Sequence, residues 1–360
     1  MRILLLAPGK SIHTHKWALF YKSVNVDVKV VTFADHHSEE NAKEVDTEIL
    51  TKMLPGKLSY LSGVFALKKI IKEFKPDILH AHYVSSYGFV GALANFHPYY
   101  VSVWGRDIFQ FPQMGKMNES IVKYTLDKAD VICSTSHIMA KETNKYTSKN
   151  VFVTPFGVNI DKFQPNGSLK EDGVLTIGTV KALSDKYGIA DLIQAFALIN
   201  QKYQESNLLI VGDGPQKKEY EELTERLGIG HATTFTGRVP NDKVPDYINK
   251  MSIFAVPSTE DSESFGVAAV EAMACGVPPV VSNVGGLPEV VIEGKTGFVV
   301  PKENPEKLSE AMLKLIEDQE MRQRMATNGV VHVKQHYNWI DNANGMLELY
   351  SQTLEKGMRS

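Results

Sequence analysis

Two glutamates flank a turn that leads into an alanine-rich helix in the second half of the chain. Glu263 precedes the turn at Gly266, and Glu271 lies inside the predicted helix. Backbone N–H groups at a helix start attract anions such as phosphate. Eight positions at ~1.5 Å rise span about 12 Å, roughly the distance from a nucleotide's ribose to a sugar on its diphosphate. The pattern therefore predicts a sugar-nucleotide site; the structural alternative is a capping Glu263 and a solvated Glu271.

The residues around these glutamates resemble the donor-site signature of the retaining glycosyltransferases of family 4. Phe-Gly follows shortly after the first glutamate, and Glu-Ala-Met-Ala-Cys-Gly-Val-Pro surrounds the second. Further stretches match motifs of that family in the same order, including its hinge and its final helix. These stretches are residues 155–159, 177–189, 210–215, 235–239, 284–289, 294–298 and 337–339. The resemblance covers essentially all of residues 150–350.

That family has the GT-B fold. The resemblance therefore implies an α/β protein with two Rossmann-like domains facing across a cleft and a C-terminal helix crossing back to the first domain. It implies that Glu271 binds the ribose, that Glu263 is a catalytic residue that binds the donor sugar, and that Arg238 and Val239 lie beside the base. The remaining implied donor-binding residues are Gly9, Gly178, Gly212, Gly214, Ser264, Phe265, Gly266 and Val267.

Lys181 and Lys186 are the predicted catalytic cations. Sugar transfer expels a nucleoside diphosphate, and preorganised positive groups stabilise the charge that develops there. Members of the family use an Arg/Lys pair, but Thr179 stands at the usual arginine position, so the resemblance assigns the role to Lys181 with Lys186. A metal-binding Asp-x-Asp is not evident apart from Asp261-Ser-Glu263 inside the donor motif. The reaction is therefore expected to need no metal and no other cofactor.

The first half of the chain offers acceptor-side candidates. Pro8-Gly9-Lys10-Ser11 ends a strand and is not a Walker A loop, because Leu4 stands where that motif needs glycine. Trp104 replaces the histidine of the His-Gly-x-Asp sequence found in many relatives, so a general base is not available there. The full set of acceptor-side candidates is Lys10, His13, His15, Trp104, Arg106 and Asp107. His80 and His82 lie two apart on one strand face, which favours a satisfied buried pair over a zinc site.

Short apolar strands alternate with amphipathic helices along the chain, a pattern typical of parallel sheets buried on both faces. Six strand candidates fall in each half, so we expect two sheets of about six strands. Proline, glycine and asparagine break residues 155–173, where a domain seam is predicted. The predicted domains are residues 1–160, joined by a helix at about 338–360, and residues 161–337. Residues 58–75 are a candidate basic amphipathic helix for surface binding.

The composition is that of an ordinary globular protein. The 360 residues are 43% hydrophobic and 22% charged, which excludes collagen-like and wholly disordered chains. The two cysteines are isolated, so neither a disulfide framework nor a zinc module is predicted. Residues 1–160 carry 19 Lys and Arg against 14 Asp and Glu, whereas residues 161–360 carry 20 against 28. The basic first half could attract an anionic substrate or lipid headgroup.

These observations and the resemblance together predict a retaining glycosyltransferase. It would move a hexose or N-acetylhexosamine from a nucleotide sugar, by family frequency a UDP-sugar, to an acceptor hydroxyl in cell-surface polysaccharide or glycoconjugate synthesis. The alternatives are a non-catalytic nucleotide-sugar-binding subunit and a sugar-nucleotide epimerase. The acceptor is left open between a saccharide, a lipid-linked saccharide and a small soluble molecule; an anionic membrane surface is a further candidate partner and nucleic acid is not. A cytoplasmic location is expected, with peripheral attachment at the inner face of the plasma membrane as an option.

Overall fold

The computed structural model describes residues 1–51, 59–169 and 173–359, and its contacts divide the chain into two units. The first unit comprises Met1–Pro155 and Ala343–Ser360, and the second comprises Phe156–Asn342. The boundaries expected from the sequence lie after residues 160 and 337. Each unit is an α/β domain with its own parallel sheet and its own hydrophobic core.

The first unit contains a seven-stranded parallel sheet in the order β3-β2-β1-β4-β5-β6-β7. Its strands are β1 (Arg2–Leu6), β2 (Asp27–Phe33), β3 (Thr47–Leu50), β4 (Ile78–His82), β5 (Tyr99–Val103), β6 (Val131–Ser134) and β7 (Val151–Val153). Leu4, Leu5 and Leu6 are fully buried, because helices cover both faces of a central parallel strand. The expected number of six strands was one too few, since β3 is a half-exposed edge strand with the polar sequence Thr-Glu-Ile-Leu.

In the described part of this unit, six α-helices lie between the strands. They are α1 (Ile12–Ser23), α2 (Ser59–Phe74), α3 (Tyr87–Ala94), α4 (Arg106–Phe109), α5 (Lys116–Lys128) and α6 (His137–Thr143). Helix α2 covers most of the candidate surface helix, whose first residue, Leu58, lies outside the described residues. Strand order reverses at β1, with β2 on one side and β4 on the other. Ligands of such sheets bind at the carboxyl ends of the strands at this switch point.

The second unit contains a six-stranded parallel sheet in the order β10-β9-β8-β11-β12-β13, as expected from the sequence. Its strands are β8 (Thr176–Val180), β9 (Asn207–Val211), β10 (Thr233–Gly237), β11 (Ile253–Val256), β12 (Pro279–Ser282) and β13 (Phe298–Val300). Its helices are α7 (Ile189–Asn200), α8 (Lys217–Arg226), α9 (Val244–Asn249), α10 (Val267–Ala274), α11 (Leu287–Val290), α12 (Pro305–Glu317) and α13 (Gln319–His336). The switch point here lies at β8, between β9 and β11.

The final helix, α14 (Trp339–Arg359), begins in the second unit and continues in the first. In the second unit its first residue donates a backbone hydrogen bond to Val158. In the first unit the hydroxyl of Tyr350 lies 3.0 Å from that of Tyr21 and 2.5 Å from His80 Nδ1, and all three side chains are buried. The expected return of the last helix to the first domain is thus confirmed. No helix within the described ranges is long and apolar enough to span a membrane.

Candidate active site

A cavity of about 680 Å³ opens at the carboxyl end of β8 in the second unit. Two glycines that follow β9 line this cavity, and the backbone of residues 181–183 approaches both of them too closely for a side chain. A Cβ on Gly212, which has φ of 142°, would lie 1.9 Å from the carbonyl oxygen of Lys181, and one on Gly214 would lie 2.3 Å from that of Leu183. The lining residues are Val180, Lys181, Ala182, Val211, Gly212, Asp213, Gly214, Arg238, Val239 and Val244. Five predicted donor-site residues therefore meet in one cavity: Lys181, Gly212, Gly214, Arg238 and Val239.

Lys181 and Glu263 form an ion pair beside this cavity. Lys181 Nζ donates to Glu263 Oε2 at 2.6 Å, and the two side chains are only 12% and 10% exposed. The hydroxyl of Ser258 also donates to this oxygen, at 3.3 Å. A hydrogen-bonded ion pair that is shielded from water holds its partners more firmly than an exposed one. The structure thus brings together two predicted catalytic residues that lie 82 positions apart in the chain.

The ring of Tyr187 contacts both predicted catalytic lysines, and Tyr187 is not among the site residues predicted from the sequence. Lys181 Nζ lies 4.7 Å from the centroid of its ring, and Lys186 Nζ lies 4.5 Å from it. Cations at this distance are attracted by the negative ring face. The backbone carbonyl of Lys186 also accepts a hydrogen bond from Thr259, in the loop that leads to Glu263. A tyrosine between the second lysine and Gly188 is the signal that could have identified this contact.

The turn before α10 is shaped by glycines. Gly266 has φ of 87° and immediately precedes Val267, the first residue of α10. The backbone N–H groups that follow Gly266 therefore belong to the first turn of this helix. Gly285 and Gly286 pack on the same turn: a Cβ on Gly285 would lie 2.1 Å from the carbonyl oxygen of Glu263. Gly286 N–H donates to that oxygen at 2.9 Å. The Gly-Gly pair of the 284–289 motif therefore fixes the backbone that carries Glu263.

The other predicted donor-site residues occupy different positions. Glu271 is half-buried on α10. Burial of the Cys275 thiol, with a smaller contribution from the charge of Glu271, raises the pKa of that thiol to about 12. Ser264 is buried, and Phe265 is a core residue packed edge-on against the rings of Phe156 and Tyr337. Gly178 lies inside β8, where a Cβ would meet Met251 and the carbonyl oxygen of Leu209. Close packing inside the sheet is therefore sufficient to require a glycine at position 178.

A second cavity, of about 530 Å³, lies in the first unit at the carboxyl end of β1. It is the switch point of that sheet, so it occupies the position at which the fold binds ligands. Its lining residues are Pro8, Lys10, Ser11, His36, Tyr83, Ser85, Ser86, Arg106, Asp107, Gln110, Phe111 and Met114. Three of the six acceptor-side candidates, Lys10, Arg106 and Asp107, meet here.

Asp107 holds the loop around this cavity. Its buried carboxylate accepts hydrogen bonds from the backbone N–H groups of Val84 at 2.8 Å, Trp104 at 3.1 Å and Gly105 at 2.9 Å. Burial raises the pKa of Asp107, and the backbone hydrogen bonds oppose that rise. We infer that Asp107 positions the backbone of the cavity wall through these contacts.

Trp104 packs among histidines behind this loop. Its ring centroid lies 4.1 Å from that of His82 and 6.0 Å from that of His13. Burial, with a smaller contribution from Lys16, lowers the pKa of His13 to about 4, so this side chain is neutral at pH 7. His80 bonds to Tyr350 and Ser102 as a satisfied core histidine should. His82 departs from that expectation, because its buried Nδ1 has no hydrogen-bond partner among the described residues.

The first loop is held by hydrogen bonds of its own. Gly9 N–H donates to Thr32 Oγ1 at 2.9 Å, and its carbonyl accepts from Asn41 at 2.8 Å. His15 Nε2 lies 2.8 Å from a carboxylate oxygen of Glu44. The hydrogen bonds with Thr32 and Asn41 hold Gly9, which is predicted as a donor contact, in the turn after β1. Within the described parts of the chain, no group of three or more His, Cys, Asp or Glu side chains is placed to hold a metal.

Two Rossmann-like units with parallel sheets define a protein of the GT-B fold. The structure of HepE from Anabaena in complex with UDP superimposes on it with a TM-score of 0.85, at 22% identity over 98% of this chain and 100% of that one. An uncharacterized glycosyltransferase of Methanocaldococcus jannaschii is 28% identical over 96% of this chain and 94% of its own length. A capsular polysaccharide biosynthesis glycosyltransferase of Staphylococcus aureus, CapM, is 26% identical over 93% and 92%.

The two units also match known families separately. Residues 161–331 match the family described as glycosyl transferases group 1, and residues 2–136 match the family described as glycosyl transferase 4-like. The chain is therefore a glycosyltransferase, and thus a transferase enzyme, whose second unit matches the group 1 family and whose first unit matches the glycosyl transferase 4-like family. The predicted glycosyltransferase assignment and the predicted GT-B fold are confirmed.

Proposed function

We propose that this enzyme transfers a hexosyl or N-acetylhexosaminyl group, with retention of configuration, from a UDP-sugar to an acceptor hydroxyl. The observation that carries the proposal is the shielded pair of Lys181 and Glu263, which adjoins the cavity lined by Gly212, Gly214 and Arg238. A cation beside a glycine-walled cavity suits a diphosphate, and a carboxylate in contact with that cation suits the hydroxyls of the attached sugar.

The donor would lie along the cavity of the second unit. Glu271 would accept hydrogen bonds from the ribose hydroxyls, and the N–H groups at the start of α10 would bind the diphosphate. Arg238 and Val239, which line the cavity, would contact the base. UDP is favoured over other nucleotides by its frequency in the family, and HepE, a protein of the same fold, has been solved in complex with UDP.

The chemical step would break the bond between the anomeric carbon and the diphosphate oxygen and form a bond from that carbon to the acceptor oxygen on the same face. The electron pair of the broken bond leaves with UDP, and the acceptor proton passes to the departing phosphate. Lys181 and Lys186, held over the ring of Tyr187, would neutralise the charge that grows on the phosphate. Glu263 would orient the sugar hydroxyls.

We propose that these two lysines supply the positive charge that a divalent cation supplies in metal-dependent transferases, so that the reaction needs no metal. Lysine offers a point charge suited to phosphate. Initial rates should be equal with and without excess EDTA. A loss of activity that Mg²⁺ or Mn²⁺ restores would contradict this part of the proposal.

The biological role we propose is the synthesis of a cell-surface polysaccharide or glycoconjugate, and the similarity to CapM supports it. The acceptor would be a saccharide, free or lipid-linked, or a small soluble molecule. The reaction would take place in the cytoplasm, at the inner face of the plasma membrane where the acceptor is lipid-linked.

A donor-by-acceptor screen tests the proposal. Purified protein is incubated with a panel of UDP-sugars, with and without candidate acceptors, and release of UDP is measured together with the anomeric configuration of the product. Acceptor-dependent UDP release with retained configuration is the expected result. UDP-sugar binding without turnover on any acceptor would favour a binding subunit, and interconversion of the donors would favour an epimerase.

A further inference from the structure

We propose that the cavity of the first unit binds an anionic group, a phosphate or carboxylate, carried by the acceptor. This inference rests on the proposed function, because it names the chemistry of the acceptor for that reaction. The cavity is built entirely from the first unit and lies at the switch point of its sheet. Its charge, its hydrogen-bond donors and its apolar lining each point to the same class of ligand.

Two cations line the cavity, and both use neutral acceptors among the described residues. Lys10 Nζ donates to the backbone carbonyl of Asp35 at 3.1 Å, and Arg106 Nε donates to the side-chain oxygen of Gln110 at 2.7 Å. Both side chains belong to exposed residues, so they can reach a ligand in the cavity. A guanidinium group and an ammonium group on one cavity provide a fork and a point charge for an oxyanion.

Among the residues that the structure describes, one carboxylate lines the cavity, and it already accepts hydrogen bonds from the backbone. Asp107 is 4% exposed, and its two oxygens accept three backbone N–H groups. It is therefore held as part of the cavity wall by the backbone and does not pair with Arg106. A ligand entering the cavity thus meets two cations, and the anionic side chain beside them is directed to the protein backbone.

Hydroxyl groups and helix starts add further donors. Ser11, Ser85 and Ser86 line the cavity, with Ser11 preceding the first residue of α1 and Ser86 preceding the first residue of α3. The positive ends of two helices therefore adjoin a cavity that already carries two cations. Their partial charges act in the same direction as Lys10 and Arg106.

Part of the cavity lining is apolar. Phe111 and Met114 form this part, and Met114 is 76% exposed. An apolar lining next to an anion site suits a phosphate that carries hydrocarbon, and it equally suits the apolar face of a sugar phosphate. Both ligands present an anion to the cavity. They differ in the group that would contact Met114, which is a hydrocarbon chain in one and a sugar in the other.

Inorganic pyrophosphate is the first probe, titrated calorimetrically into the full-length protein saturated with UDP so that the donor cavity is filled. Wild-type protein should bind pyrophosphate at a further site. Lys10→Ala and Arg106→Ala should each weaken this binding by about tenfold, the value of a hydrogen bond to a charged group. Arg106→Lys should weaken it less. Lys141→Ala, which removes an exposed cation of the same unit outside the cavity, is the matched control and should bind as wild type does.

The proposal is overturned if UDP-saturated protein binds no pyrophosphate, or if both cavity variants bind it with wild-type affinity. Melting temperatures of the variants show that they are folded. If UDP itself fails to bind, the proposed function is rejected instead. In that case, the difference in pyrophosphate affinity between UDP-free wild type and UDP-free Arg106→Ala still tests the anion site alone.

A second titration separates the two sources of the anion. Farnesyl diphosphate in detergent is compared with inorganic pyrophosphate, in wild type and in Met114→Ser. Tighter binding of the lipid diphosphate that Met114→Ser abolishes supports a lipid-linked acceptor. Equal binding of the two probes in both proteins supports a soluble anionic acceptor.

Discussion

Lys181 Nζ lies 2.6 Å from Glu263 Oε2, in an ion pair that joins the end of β8 to the loop before α10. The contact ties the cation expected to stabilise the leaving diphosphate to the carboxylate expected to hold the donor sugar. The two groups are therefore fixed relative to each other before the donor binds, as electrostatic preorganisation requires.

Removing either partner of this pair should lower turnover. We expect Glu263→Ala and Lys181→Ala to reduce kcat by roughly 10²-fold or more, because each removes a group whose interaction strengthens in the transition state. The KM for the UDP-sugar should change much less for Glu263→Ala. Steady-state kinetics check this, with the exposed residue Glu320 replaced by alanine as a control. Wild-type kinetics in both variants would refute the assignment of the pair.

Glu271→Ala should have a different effect. In its proposed role Glu271 accepts hydrogen bonds from the ribose hydroxyls, and its replacement would remove hydrogen bonds to a charged group, so the Kd for UDP should rise by about tenfold or more. The kcat at saturating donor should fall less than in Glu263→Ala. Calorimetric titration with UDP measures the first effect. Unchanged UDP affinity would show that Glu271 is a solvated or structural residue of α10.

Tyr187 should contribute through its aromatic face and not through its hydroxyl. Tyr187→Phe keeps the ring beneath both lysines and should retain donor affinity and kcat. Tyr187→Leu removes the ring and should weaken donor binding by roughly three- to thirtyfold, the range of a cation–π interaction. Because Tyr187 also packs against the core, melting temperatures are measured alongside the kinetics. Equal loss in both variants would argue against the cation–π contact.

The buried histidines of the first unit should make the protein sensitive to acid. Burial lowers the pKa of His80 to about 3 and that of His82 well below its usual value, with the charges of His80 and His13 adding to the effect at His82. Below pH ~6.5 the unfolded chain binds protons that the folded chain does not, so the free energy of unfolding falls as pH falls.

His82→Phe tests this linkage, because phenylalanine cannot be protonated and needs no partner for Nδ1. Relative to wild type, the variant should lose less stability on acidification, by about 1.4 kcal/mol per pH unit below pH ~6.5. Urea unfolding at pH 7.5, 6.5, 5.5 and 4.5 provides the measurement. Parallel curves for the two proteins would show that His82 does not titrate in this way.

Tyr350 should stabilise the first unit by anchoring the last helix. Tyr350→Phe removes a hydroxyl that is buried between Tyr21 and His80, so we expect a loss of about 1–3 kcal/mol in the free energy of unfolding. Ser351→Ala, at the next position of α14 and exposed, should cost much less. Chemical denaturation followed by circular dichroism compares the two. Equal stability of both variants would contradict the anchoring role.

Local motifs in the sequence predicted several of the residues that line the cavity of the second unit. Gly212 and Gly214 could be recognised because a short glycine pattern after a buried strand is sufficient to allow close backbone approach. The central strands could be recognised for a similar reason: a run such as Ile3 to Leu6 has no polar face. Strand β3 escaped detection because an edge strand needs burial on only part of its length, and its sequence is half polar.

The functions of several side chains depended on contacts that no local pattern encodes. Asp107 was an acceptor-side candidate, yet its carboxylate is used by three backbone N–H groups, one of them from Val84 on a different loop. Tyr187 stood next to a predicted lysine without any sign that it would lie under two of them. His82 was expected to be satisfied, and its neighbours in space left Nδ1 without a partner among the described residues.

The sequence by itself determined the family, the α/β character of both halves and the residue types of the donor motif, because these follow from short patterns and from the order of motifs along the chain. Only the tertiary structure decided which of those residues act together. Strand order brings the ends of β8, β9 and β11 to one edge, and that order is set by packing between residues far apart in sequence. Lys181 and Glu263 meet for this reason, and so do Lys10 and Arg106 on the cavity of the first unit.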